Sequence, residues 1–314
     1  VRTSGSMGVD IKNKSIQADN WIDSTIGNGS VTLNATGGDL TFTAAANIFA
    51  GASVSLTSSQ TIQLLGNIKT SGASASLNSK VSLVGPVTID TTGKTAGSFP
   101  GGANILFAST IDGAQNLTMN SGSSGSITFT GAVGATNRVA AITIQNAMGV
   151  TAAAISANSL TQSDGGGTTT LNGPVNTTGA LGVDINSGAI QVNSPVVTTG
   201  SGKTYFNTYT GDLTIASGST ITSDGPVRLI GSQSISINAN ITTTGDTVTF
   251  SGGGVKLGTD LTVDTTGGAA SGANVTFNPA VNSSGSARAL TIKAGAGTIT
   301  FGGAVGSTLA LGVI

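Results

Sequence analysis

The chain has no cysteine and no histidine among its 314 residues. Without cysteine there is no disulfide framework and no thiol nucleophile. Without histidine there is no imidazole base, and no triad that depends on one. Glutamate is missing as well: all 13 acidic residues are aspartate, the turn-forming acid, and only 12 lysines and arginines face them. Charged residues make up 8% of the chain and the net charge is −1, which indicates neither an acidic nor a basic partner. In particular, the cations needed to neutralise nucleic-acid phosphates are not there. Aromatic residues are scarcer still, at 4%. No apolar run approaches the ~18 residues that would span a bilayer as a helix.

What is present is glycine, 48 residues of it, with serine, threonine, asparagine and alanine, and the sequence repeats itself. Val87-Thr-Ile-Asp-Thr-Thr-Gly93 returns as Leu261-Thr-Val-Asp-Thr-Thr-Gly267, Asn104-Ile-Leu-Phe107 as Asn274-Val-Thr-Phe277, and Leu117-Thr-Met119 as Leu290-Thr-Ile292. Ser126-Ile-Thr-Phe-Thr-Gly-Ala-Val-Gly134 returns as Thr298-Ile-Thr-Phe-Gly-Gly-Ala-Val-Gly306. The same offset joins Gly5-Ser-Met-Gly-Val-Asp-Ile11 to Gly179-Ala-Leu-Gly-Val-Asp-Ile185, Gly38-Asp-Leu-Thr41 to Gly211-Asp-Leu-Thr214, and Thr61-Ile-Gln-Leu64 to Ser234-Ile-Ser-Ile237. The chain therefore holds roughly 1.8 copies of a unit of about 173 residues, one over 1–173 and an incomplete second over 174–314. It starts on Val1 and stops mid-pattern, so we expect it to be a window on a longer tandem array.

Almost every apolar cluster is an alternating triplet followed by Gly, Asn, Asp or Ser, such as Val31-Thr-Leu33, Ile62-Gln-Leu64, Leu213-Thr-Ile215 and Val275-Thr-Phe277. Alternation at period 2 puts two apolar side chains on one face and a polar one on the other, which is a strand buried on one side. Even Ala141–Leu160, the stretch closest to helical spacing, holds the strand triplet Ile142-Thr-Ile144. Strands this short need many neighbours. A β-sandwich array and a parallel β-solenoid both supply them. Strand shortness, outward positions rich in Thr, Ser and Asn, and the lack of a buried Trp or cysteine pair favour the solenoid. At roughly 20 residues per turn and ~4.8 Å between stacked strands, the chain makes about 15 turns and one unit about eight or nine, about 40 Å.

The Val/Ile-Thr-Phe-Gly-Gly-Ala-Val-Gly and Asp-Thr-Thr-Gly blocks resemble the repeats of giant bacterial surface proteins of the filamentous-haemagglutinin-like, β-strand-repeat type. The resemblance covers essentially the whole chain and lies in repeat blocks, with no catalytic signature. It implies an all-β, right-handed parallel β-helix, export to the cell surface, and a role in adhesion or envelope structure. The absence of cysteine in a chain rich in Thr, Ser, Asn and Gly suits such export. The expected function is thus the structural shaft of an extracellular bacterial fibre, sheath or adhesin, secreted and not catalytic. The alternatives are an adhesin whose lateral face binds glycan or a host surface, and a polysaccharide-active β-helix enzyme. Expected partners are neighbouring repeats or copies of itself, end to end, with a cell-surface glycan as the further candidate.

No catalytic, cofactor or metal residue is assigned, but several candidates stand out. Asp10/Asp184, Asp39/Asp212 and Asp90/Asp264 recur in both copies. They are either Ca²⁺ ligands on turns or acceptors for turn amides, and the absence of a Gly-Gly-x-Gly-x-Asp run or an EF-hand loop favours the second. Asp260 and Asp264 are spaced to share a strand face as glycosidase-type acids, yet Pro86 replaces Asp260 in the first copy. Asp164-Gly-Gly-Gly167 and Gly252-Gly-Gly254 lack the Lys-Ser/Thr of a phosphate loop. Phe107/Phe277 and Phe129/Phe301 are either sugar platforms or, as their triplet positions favour, inward core rungs. Asn116-Leu-Thr118 and Asn274-Val-Thr276 are sequons of the kind that a Thr-rich chain produces freely.

Overall fold

A computed structural model describes residues 1–93, 98–268 and 271–314. The described chain is all-β, without a helix, and its short strands stack in parallel as a β-solenoid of about 13 turns. Two compact units are distinguished: residues 1–157 with 164–166, and residues 158–163 with 167–314.

Most turns carry three strands; the turns that begin at Gly149–Ala152 and Thr168–Leu171 are completed by one long strand each, Ile155–Gln162 and Val175–Ser187. In the first unit Val9–Asn13, Ile16–Ala18 and Ile22–Asp23 make one turn, and Val31–Ala35, Leu40–Phe42 and Ile48–Ala50 lie in register on the next. In the second unit Ala189–Val192, Val196–Thr198 and Thr204–Thr208 are followed by Leu213–Ile215, Ile221–Ser223 and Val227–Gly231. The alternating triplets are the strands, and their outer residues are buried: Val31, Leu33, Leu40, Ile48, Leu213 and Ile215 are all inaccessible. Each such side chain contributes roughly 1.5–3 kcal/mol by leaving water. Stacking at the β spacing is what gives a three-residue strand enough neighbours to do so.

The turns are longer and fewer than uniform spacing predicts. Val9, Val31, Val54, Ala75 and Ile105 stack on one another in successive turns, and the step from Ala75 to Ile105 is much the longest. Strand length hardly changes; the corners absorb the difference. In the long turn Thr91 clasps Ala103, and the clasp recurs. Thr91 Oγ1 donates to Ala103 O at 2.8 Å and accepts from Ala103 N at 2.9 Å. Thr265 Oγ1 does the same with Ala273, at 2.8 and 2.9 Å. Both threonines are fully buried. The first threonine of each Asp-Thr-Thr-Gly block thus satisfies both the amide and the carbonyl of an alanine outside the ladder.

The repeat and the turn are out of phase. A block that forms the first strand of a turn in copy one forms the third in copy two, as with Ile105–Phe107 and Val275–Phe277. Second strands become first, as with Thr61–Leu64 and Ile235–Ile237, and third become second, as with Val87–Asp90 and Leu261–Asp264. The blocks tolerate this because all three faces ask the same of a strand: apolar inward, small and polar outward.

Candidate functional site

The sequence candidates lie mostly at corners. Asp90 Oδ1 accepts from Thr92 N and Thr92 Oγ1 at 2.8 and 2.6 Å, and Asp264 Oδ1 accepts from Thr266 N and Oγ1 at 2.9 and 2.7 Å. Asp39 accepts from Thr61 N (3.1 Å) and Gln63 Nε2 (2.8 Å), one turn on, and Asp212 from Ser234 Oγ (2.7 Å). Asp10 faces outward on Val9–Asn13, and Asp184 pairs with Lys203. Asp260 Oδ1 accepts from Ala289 N at 3.0 Å, so Asp260 and Asp264 are engaged separately, on different partners. Among the described residues no three acidic side chains gather in a group able to hold a metal ion.

Asparagines work in the same way, which the sequence reading missed. Asn47 Oδ1 accepts from Asn67 N (2.9 Å), and Asn67 Oδ1 from Thr88 N (2.7 Å). The sequon residues do likewise: Asn116 Oδ1 takes Ala141 N at 3.2 Å, and Asn274 Oδ1 takes Thr298 N at 2.8 Å. Each of these asparagines stands just before a strand, where its side-chain carbonyl supplies an acceptor ahead of the ladder and joins one turn to the next. Phe107, Phe129 and Phe277 are inward rungs, Phe107 stacked on Phe129 at 5.3 Å; Phe301, also stacked, is half-buried. Gly165 and Gly252 take part in strand pairing while their neighbours lie in bends, and neither glycine run opens a helix.

Two carboxyls titrate low. Hydrogen bonding by the Thr266 hydroxyl, then by its amide, with the charge of Lys293 3.6 Å away, holds Asp264 below the ordinary 3.8 against the opposing effect of burial. The Ser201 amide and the Thr244 hydroxyl hold Asp224 low. A carboxyl whose pKa falls on folding stabilises the fold above its unfolded pKa, and that contribution disappears as pH drops through the folded value. Thermal stability should therefore decline below about pH 3.8, and less steeply in the double variant D224N/D264N. Parallel acid limbs in melts from pH 5 to 2 would contradict this assignment.

Trp21, Phe49 and Lys69 depart from the small-polar outward pattern in the first unit, and a second cluster departs from it too. It lies in the second unit, on 183–187, Thr204–Thr208 and Val227–Gly231, whose register places Asp184, Tyr205 and Arg228 on successive rungs. Asn186, Asn207 and Ile230 form the adjacent column. Lys203 Nζ lies 2.6 Å from Asp184 Oδ2 and 4.4 Å from the centre of the Tyr205 ring. Asn207 Nδ2 donates to Asn186 Oδ1 at 3.0 Å. These residues line an open recess of about 300 Å³. Arg228 is exposed and has no ion-pair partner among the described residues. The available sequence signal was the placing of both tyrosines of the chain, Tyr205 and Tyr209, four residues apart. Comparison with protein-family models, with curated proteins and with solved structures gives no match.

Proposed function

We propose that the chain is a structural segment of an extracellular bacterial fibre, sheath or surface adhesin, built to set length and resist unfolding, and that it performs no catalysis. The observation that carries this reading is the joining of turn to turn at both levels. Inside, apolar rungs stack in register; at the corners, Asn and Asp side chains take amides of the following turn. Such a design extends by adding turns, each supported by its neighbours. Its charge-poor, cysteine-free composition and the repeat blocks similar to those of filamentous-haemagglutinin-like proteins support a place at the cell surface.

Electron microscopy of the native material tests the proposal. Thin fibres with an axial repeat of about 35 Å, the stacking distance of the roughly seven turns that one 173-residue unit makes at ~4.8 Å per turn, are expected, decorated on intact cells by antibody against the chain. Compact particles, or antigen confined to the cell interior, would overturn it.

A further inference from the structure

We infer that the Tyr205 recess binds a carboxylated, uronate-bearing polysaccharide. The first observation is what the other copy has at the same places. The offset that aligns Gly38 with Gly211 aligns Ser30 with Lys203, Thr32 with Tyr205 and Ser55 with Arg228. Inward residues keep their character across this alignment: Leu33 matches Phe206, Val54 matches Val227 and Leu56 matches Leu229, all buried. Three outward serines and threonines have meanwhile become a lysine, a tyrosine and an arginine that converge on one recess. The fold is satisfied by Ser and Thr at these rungs, so stacking the turns does not require the larger side chains.

The second observation is the balance of groups. Asp184 neutralises Lys203 and holds it over one side of Tyr205. Arg228 remains, a planar donor with no acidic partner among the described residues, one rung above the ring. A carboxylate satisfies it with two parallel hydrogen bonds. The tyrosine ring offers a surface for the apolar face of a sugar, and the carbonyl of Asn207 accepts from a hydroxyl. Acidic peptides suit this place less well. Peptides are recognised through a free strand edge, a helix groove or an aromatic slot, whereas the backbone here is committed to ladders on both sides. One unpaired cation is too few for nucleic acid.

The test is titration of the full chain with polygalacturonate, with neutral dextran and polyglutamate as comparisons. Binding of polygalacturonate and not of dextran is expected. Arg228→Ser and Tyr205→Thr install the residues that the other copy carries, so melting should be unchanged while affinity drops about tenfold or more, the scale of a lost charged hydrogen bond. Lys256→Ser, which removes an exposed cation from the strand Val255–Leu257, should leave binding as it was. The inference is overturned if polygalacturonate does not bind, if Lys256→Ser weakens binding as much as Arg228→Ser, or if polyglutamate binds equally well and Tyr205→Thr has no effect.

Discussion

Phe277→Ala should destabilise the turns around it by about 3–5 kcal/mol, the range for a buried phenylalanine cut to alanine. Phe277 is inaccessible and sits in the middle of a three-ring stack, 4.4 Å from Phe250 with 4° between the planes and 5.3 Å from Phe301 with 10°. All three come from strands that pair in register. The cavity cannot collapse easily, because the rings on either side are held by parallel ladders whose spacing the backbone fixes. Solenoid turns feel their neighbours most, so the loss should be local. Hydrogen exchange should show faster opening of Val248–Gly252, Val275–Phe277 and Ile299–Phe301, while Val31–Ala35 in the first unit is unaffected. Thr276→Ala, on the outward side of the same strand, should stay within about 0.5 kcal/mol. A loss below about 1 kcal/mol for Phe277→Ala, or one spread evenly over the chain, would show that the ring stack does not hold these turns together.

Alternation made the strands legible. Val31-Thr-Leu33 and Val275-Thr-Phe277 announce a wet face and a dry one, and both are strands with buried ends. The same alternation says nothing about how long a turn is, because that length is set by corners. The turn from Ala75 to Ile105 outgrows its neighbours, and its extra residues fall between Thr91 and Ala103, which Thr91 clasps. Assuming short, uniform turns therefore overcounts them, and there are about 13. The internal repeat offered no correction. Its blocks have moved by one strand within the turn, so the spacing of the repeat does not measure the turn at all.

The site was legible only in part, for the same reason. The repeated aspartates left two readings open, and the geometry shows what each carboxylate does: Asp90 and Asp264 hold Thr92 and Thr266. Each of those bonds reaches only to the next residue but one and needs no knowledge of the turn. The recess around Tyr205 is different. Asp184, Tyr205 and Arg228 come from three successive turns and meet only because the lengths of those turns bring them into register. Until the corners are known, nothing in the sequence brings the three together.

The second large effect is expected from a glycine that both copies keep. Gly8 and Gly182 occupy matching places and adopt φ of +71° and +57°. Either would, with a side chain, drive its Cβ into a carbonyl of the following turn, that of Ser30 or of Lys203. Gly182→Ala therefore meets two costs. A left-handed conformation costs a residue with a Cβ roughly 1–2 kcal/mol. The clash cannot be relieved by a rotamer, since the obstacle is backbone fixed in the ladder from Val183 to Thr204. Together these should reach about 3 kcal/mol, at the upper end of the cost of a strained turn residue. Gly182→Asn separates the two, because asparagine tolerates positive φ better than alanine yet carries the same Cβ. Equal losses for Ala and Asn in thermal and hydrogen-exchange measurements would make the close approach of the turns the dominant cost. A much milder Asn variant would assign the cost to φ alone, and the turns at this corner would then have slack to separate. The same pair of substitutions at Gly8 should give the same ordering. Gly8 precedes the first strand of its turn, whereas Gly182 lies within the continuous strand Val175–Ser187, so agreement would show that the close approach is a property of the block and not of its position in the turn.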